Sequence, residues 1–234
     1  MLRLGIYIDY FFNTRANSYG ISPASEPCFS GQTLMAILEQ RLTRLLAVPG
    51  TENPSTQFDL FLEHAFLPTL NKLTHWRRTL LSFERKLSAT EKTPSPPNFC
   101  FYKALRRPNG QFVYLDFESF GWDGPAKTVR GFLLYPAMDL PETLRRQFAT
   151  ILIKCFSESP QLFEHMEPAY PLYSLKWSII LLNKTLPEHL RRRQFAQQPL
   201  RRSEPRHTHI EQLTKARRML KRVEGEYEHF TYHP

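Results

Sequence analysis

Between Phe99 and Phe117 the chain changes its period, and that change limits the folds open to it. Phe99 and Phe101, then Phe112 and Tyr114, alternate with other residues on either side of Pro108-Asn109-Gly110. Alternation is the mark of a strand, and an Asn-Gly pair between two such runs is a strong hairpin signal. The spacing predicts an antiparallel hairpin, Asn98 to Leu105 paired with Gln111 to Glu118. On both sides the apolar spacing returns to three and four residues, the period of helices. One mid-chain hairpin flanked by helices is an α+β, mostly α-helical fold, and it excludes an alternating βαβ series.

The helical segments can be read in order. Ser30 looks like an N-cap, and Leu34, Ile37, Leu38, Leu42 and Leu45 follow at helical spacing. Pro49, Gly50 and Pro54 end that helix. A second helical region is expected from about Phe58 to Leu87, interrupted at Pro68, with an exposed basic end carrying Arg77, Arg78, Arg85 and Lys86. Thr90 to Pro97 reads as a break. Asp139 with Glu142 predicts a capping box for a helix whose apolar stripe is Leu144, Phe148, Ile151, Leu152 and Cys155. Pro171 to Leu186 reads as a buried core helix, with Leu175, Trp177, Ile179 and Leu182 inside. An arginine-dense connection, Arg191 to Arg206, leads to a last helix, Thr208 to Tyr227. Ile210, Leu213, Leu220 and Val223 share one face of it, and Lys215, Arg217, Arg218, Lys221 and Arg222 the other.

With 234 residues, 41% hydrophobic, the chain can bury a sizeable core as one domain or one large lobe. The 3 cysteines, Cys28, Cys100 and Cys155, are far apart and form no metal-ligand spacing, and Cys100 and Cys155 sit in apolar runs as core thiols do, which points to the cytoplasm. The most apolar stretch, Leu172 to Leu186, carries Lys176, Asn183 and Lys184 and is short of the ~20 apolar residues a membrane span needs. The net charge of +9 raises the question of an anionic partner. Nucleic acid is not expected, because Phe195 is the one aromatic in the arginine-dense stretch. A basic module for nucleic acid or anionic lipid therefore stays a lesser alternative.

The chemistry-bearing residues lie around the hairpin. Asp116 and Glu118, two apart at a strand end, would share a face and could hold a divalent cation or orient a base. Alone that is a common surface feature. The ordered set is more specific: Ala24-Ser25-Glu26-Pro27-Cys28-Phe29-Ser30, then Ser95-Pro96-Pro97-Asn98-Phe99-Cys100-Phe101-Tyr102-Lys103, then Leu115-Asp116-Phe117-Glu118-Ser119-Phe120-Gly121-Trp122-Asp123-Gly124-Pro125, then Phe132-Leu133-Leu134-Tyr135-Pro136, and finally Tyr170 to Asn183. This run resembles a bacterial branch of the aminoglycoside phosphotransferase and choline kinase-like family, from about Ala24 onward.

The resemblance implies the C-terminal lobe of a protein-kinase-like fold, with the hairpin carrying the catalytic-loop and metal-Asp positions. Residues 1–23 would be an irregular N-terminal remnant, residues 24–234 the lobe, and the nucleotide-binding N-lobe absent. No glycine-rich phosphate loop precedes Ala24, since Gly5 and Gly20 stand alone. In the family an Asp orients the attacking hydroxyl, and an Asn and a strand-end Asp hold Mg²⁺ against ATP. Asp116 matches the metal Asp. Asn98 stands at the position of the base Asp, where an amide cannot accept a proton. Lys103 stands at the position of the metal Asn, and an ammonium has no acceptor. Tyr102, Gly124 and Gly131 replace a His and two Asp of the family pattern.

The expectation is a degenerate or truncated phosphotransferase, unable to transfer phosphate alone and with no cofactor of its own, although ATP and Mg²⁺ serve the family. An active ATP-dependent phosphotransferase for a sugar, amino sugar or alcohol is the alternative. With the N-lobe absent, the surface around Phe99, Phe101 and Phe117 would be open to a protein partner or to self-association.

Overall fold

The computed structural model describes residues 20–47, 56–95, 100–115, 118, 120–138, 140–155, 161–183, 186, 205–228 and 232. The first helix, α1 (Gly31–Leu46), follows from its sequence: the Ser30 side chain accepts from the Thr33 N–H at 3.2 Å, and Leu34, Ile37, Leu38, Leu42 and Leu45 are all buried. Pro49, Gly50 and Pro54, read as its end, lie outside the described residues.

The second helical region differs from expectation at Pro68. The chain stays helical through α2 (Thr56–Phe61), a π segment (Leu62–Phe66) and α3 (Leu67–Arg77). Pro68 has no N–H to donate one turn back, and the backbone absorbs this as a π turn rather than a break. The chain breaks after Arg77 instead, before the short α4 (Leu81–Glu84). Nor is the basic end fully exposed. Arg77 pairs with Glu84 and is 14% exposed, and Arg85 meets Glu91 in a two-pronged ion pair at 2.5 and 2.9 Å.

The hairpin is present but shorter than the alternation suggests. Strand β2 (Ala104–Arg106) pairs antiparallel with β3 (Phe112–Tyr114), Leu105 opposite Val113. Gly110 takes φ +84°, a conformation that glycine reaches at little cost, and its N–H bonds the Arg107 carbonyl at 2.9 Å. Phe101 to Lys103 is a 3₁₀ turn, not strand, and Phe99 lies outside the described residues. Strand β3 ends at Tyr114 and Glu118 sits exposed in a turn, while Asp116, expected to share a strand face with it, lies outside the described residues.

A second antiparallel pair escaped the sequence reading. Strand β1 (Thr93–Ser95) pairs with β4 (Gly121–Asp123), Pro94 opposite Trp122. Its proline suits an edge strand, which can lack one donor. On the other flank of β4, Pro23 bridges Trp122, the Ala24 N–H bonds the Trp122 carbonyl at 2.9 Å, and the Trp122 N–H bonds the Ser22 carbonyl at 3.0 Å.

Three helices complete the description on the C-terminal side of α5 (Pro125–Leu134). Helix α6 (Glu142–Cys155) begins at Glu142, and Asp139, read as its cap, lies outside the described residues. Of its expected stripe Phe148 is buried, while Leu144 is 37% exposed. Helix α7 (Gln161–Asn183) starts ten residues before Pro171, nearly three turns, and contains Pro168 and Pro171. Burial on both flanks of these prolines, by Met166, Ala169, Tyr170, Leu172 and Tyr173, outweighs the lost hydrogen bonds. Leu175, Ile179 and Leu182 are buried as predicted, but Trp177 is half-buried, edge-on to Tyr135 at 5.1 Å. Helix α8 (Pro205–Glu226) buries Leu213, Leu220 and Val223, whereas Ile210 is 60% exposed because the buried stripe begins at Gln212.

Helix α7 is the axis of the core, with α8, α1 and α5 packed on it. The fold is mostly helical with two small antiparallel pairs, α+β as expected, and no sheet of five strands occurs among the described residues. No described helix is long and apolar enough to cross a membrane.

Candidate functional site

The hairpin and β4 frame the segment to which the sequence assigns its chemistry. Ser95, the last residue before Pro96-Pro97-Asn98, is fixed twice. It lies in β1 opposite Gly121, and its hydroxyl accepts from Thr128 of α5 at 2.8 Å in a buried setting. After the segment, the chain turns through Phe101–Lys103, where the Lys103 N–H donates to the Cys100 carbonyl at 3.1 Å. The Tyr102 hydroxyl reaches across to the Ala137 carbonyl at 2.9 Å.

Asn98 and Asp116, two of the three predicted site residues, lie outside the described residues. Lys103 is described: half-buried, it closes the 3₁₀ turn at the foot of β2. Its carbonyl accepts from the Leu115 N–H at 2.7 Å, one step beyond the Ala104–Tyr114 pair. Lys103 is therefore brought opposite Leu115, the residue that precedes Asp116 in the chain. A protonated lysine offers no lone pair, so this position cannot supply a metal ligand. Among the described residues no three His, Cys, Asp or Glu side chains gather as a metal would require. Of the three positions, the one described, Lys103, brings an ammonium rather than an oxygen donor for Mg²⁺.

Cys100 packs beneath this turn. Burial pushes its thiol up, and burial with the neighbouring Cys100 does the same to Tyr135. A thiol held protonated is a poor nucleophile, so Cys100 acts as core.

Gly124 and Gly131, where the family pattern has Asp, differ in kind. A Cβ at Gly124 would come within 2.4 Å of the Cys28 carbonyl oxygen, so packing requires glycine there. A Cβ at Gly131 would meet nothing within 4 Å, so a side chain would be accommodated there.

The most connected polar cluster lies outside the predicted site residues, although several of its members fall within the motif segments. Residues Ser22 to Phe29 form a strap across β4. Asp123, with no exposed surface, accepts from the Cys28 and Gly124 N–H groups, each at 2.8 Å, and pairs with Lys127. Lys127 also donates to the Ser25 and Glu26 carbonyls, both at 3.0 Å. Glu26 binds Arg41 at 2.6 Å and Lys176 at 2.9 Å. Burial alone would raise Glu26, but Lys176 and Arg41 outweigh it and hold the carboxyl at about 2. Burial pushes Asp123 up against the pull of Lys127 and the two amides. It also lifts the Cys28 thiol to about 11 and lowers Lys176. These pairs hold the Ser22–Phe29 strap to α5 and α7. Glu26 itself takes φ +53°, an uncommon conformation for a residue with a side chain. That backbone and the i,i+4 pair of Asp123 with Lys127 are the local reason the cluster forms.

Comparison with known proteins supports the fold and little more. No protein-family model matches the sequence, and no curated protein matches it. Among solved structures, one similar fold is a choline/ethanolamine kinase family protein from Mesorhizobium loti, with a TM-score of 0.51 and 11% identity. The match covers 90% of this chain and 60% of that one, so the chain spans less than two thirds of that protein's length. The fold is kinase-like.

Proposed function

We propose that this chain is a non-catalytic protein of kinase-like fold, one that does not transfer phosphate from ATP by its own residues. The observation that carries the proposal is Lys103. It lies opposite Leu115 across the base of the hairpin, where a metal-binding phosphotransferase would need a neutral oxygen donor. Two like unit charges about 4 Å apart repel by roughly 4 kcal/mol at an effective dielectric of 20, and a divalent cation would feel more. The Asn98 position compounds the loss, because an amide cannot take the proton of an attacking hydroxyl. Phosphoryl transfer depends chiefly on positioning and charge neutralisation, so the misplaced cation matters more than the missing base. A binding role is supported by Tyr102, Leu105 and Leu115, which expose 69, 57 and 46% of their surface around the hairpin. A protein partner or a second copy of the chain would dock there.

Titration calorimetry with Mg·ATP tests the reading. The parent chain should give no saturable heat, Lys103→Asn should recover measurable metal-dependent binding, and Asn98→Asp alone should not. Micromolar binding by the parent chain would overturn the proposal and favour an active kinase acting on a sugar, amino sugar or small alcohol.

A further inference from the structure

A groove of about 470 Å³ runs between α8 and the helix that holds the π segment, lined by none of the hairpin or β4 residues. Its volume falls in the range of small-ligand sites. Two side-chain tethers span it. Near one end the Arg217 guanidinium donates to the Gln57 carbonyl and amide oxygens at 3.4 and 3.2 Å, and near the other the Thr69 hydroxyl lies 3.3 Å from a Glu224 carboxylate oxygen. Positions 217 and 224 are two turns apart on α8, so the tethers hold about 10 Å of groove open between them.

The floor is apolar, made by Leu60, Phe61, Ala65 and Leu220. Leu60 is 46% exposed, which leaves an apolar side chain in contact with water along the groove. The polar lining is mostly basic. Arg217 and Glu224 are engaged by the tethers; His64 lies between Gln57 and Thr69 on one wall, and Lys221 between Arg217 and Glu224 on the other. Lys221 is exposed and has no ion-pair partner among the described residues. The π turn forms one wall, and π turns are uncommon in helices and recur at functional sites.

We infer that this groove binds a small amphiphilic anion, an alkyl or aryl carboxylate or phosphate monoester, with its head at Lys221 and His64 and its apolar body over Leu60, Phe61, Ala65 and Leu220. The inference rests on none of the residues that carry the non-catalytic reading, so either can fail alone.

Calorimetry on the full chain tests it, with decanoate, decanol and decyl phosphate below their aggregation concentrations. Decanoate or decyl phosphate should bind one to one, about tenfold tighter than decanol (~1.4 kcal/mol). Whichever anion binds tighter assigns the head group. Lys221→Gln should remove that advantage while leaving decanol binding as it was. Leu60→Glu, at an exposed position where folding is not at risk, should weaken both anions by a further factor of about ten or more. Thermal unfolding should show both variants folded. Anions that bind no tighter than decanol, fail to bind, or bind the two variants as they bind the parent would overturn the inference.

Discussion

Replacing Glu26 by Gln removes one charge from the strap cluster while keeping its size and an oxygen acceptor, so it isolates the electrostatic contribution. The Glu26 carboxyl is held at about 2 against an ordinary 4.5. That difference of about 2.5 units, at 1.36 kcal/mol each, sets an upper bound of about 3.4 kcal/mol. One third of the side chain is open to water, and solvent screening reduces the expected cost to ~1–2 kcal/mol. The sign follows from the depressed value. Stabilisation is complete above the unfolded value of 4.5 and is lost as pH falls toward about 2. Urea unfolding followed by tryptophan fluorescence should therefore show Glu26→Gln less stable than the parent by ~1–2 kcal/mol near neutral pH. The gap should close as the pH falls from about 5 to about 2. Equal stabilities near neutral pH, or a gap that does not shrink on acidification, would refute the assignment of Glu26 as the ionised centre of the cluster.

The glycines give a paired prediction. Gly121→Ala puts a Cβ within 2.4 Å of the Ser22 carbonyl oxygen and within 2.5 Å of the Ala24 nitrogen, and should cost about 1–3 kcal/mol or more in denaturant unfolding. Gly131→Ala, in open space within α5, should raise the melting midpoint by stabilising the helix about 0.5–1 kcal/mol. Leu182→Ala, at a fully buried position of α7, should cost about 2–5 kcal/mol, and a change under about 0.5 kcal/mol would make α7 peripheral.

The elements that were legible in the sequence are those governed by local rules. Ser30 caps α1 because a hydroxyl before an amphipathic run satisfies a free N–H, and Asn109-Gly110 turns the hairpin because glycine reaches positive φ. What tertiary packing decides was not legible. Helix α7 runs through Pro168 and Pro171 because its surroundings bury it, and Pro68 yields a π turn rather than a break. The pair β1–β4 has three residues a side, one of them proline, too short to show a period. For the candidate site, the sequence singled out Lys103 from its place in an ordered motif, and the strand register sets it opposite Leu115. Of the strap cluster only the i,i+4 pair of Asp123 and Lys127 is local, and its other charges lie up to 150 residues apart. The clue was the loose pairing of two quoted segments, Glu26 in one and Lys176 in the other.

That separation gives the strap a timetable. Glu26 finds Arg41 only 15 residues later, so α1 and the strap can associate early in synthesis. Asp123 follows Cys28 by 95 residues, a wait of roughly 5–20 s at typical elongation rates. Lys176 follows Glu26 by 150 residues, roughly 8–30 s. The strap is thus fastened in chain order, by Arg41, then by Asp123 and Lys127, then by Lys176. For most of that interval Arg41 alone holds Ser22 to Phe29, which stays open to proteases and to premature pairing. Its permanent place exists only once β4 has left the ribosome.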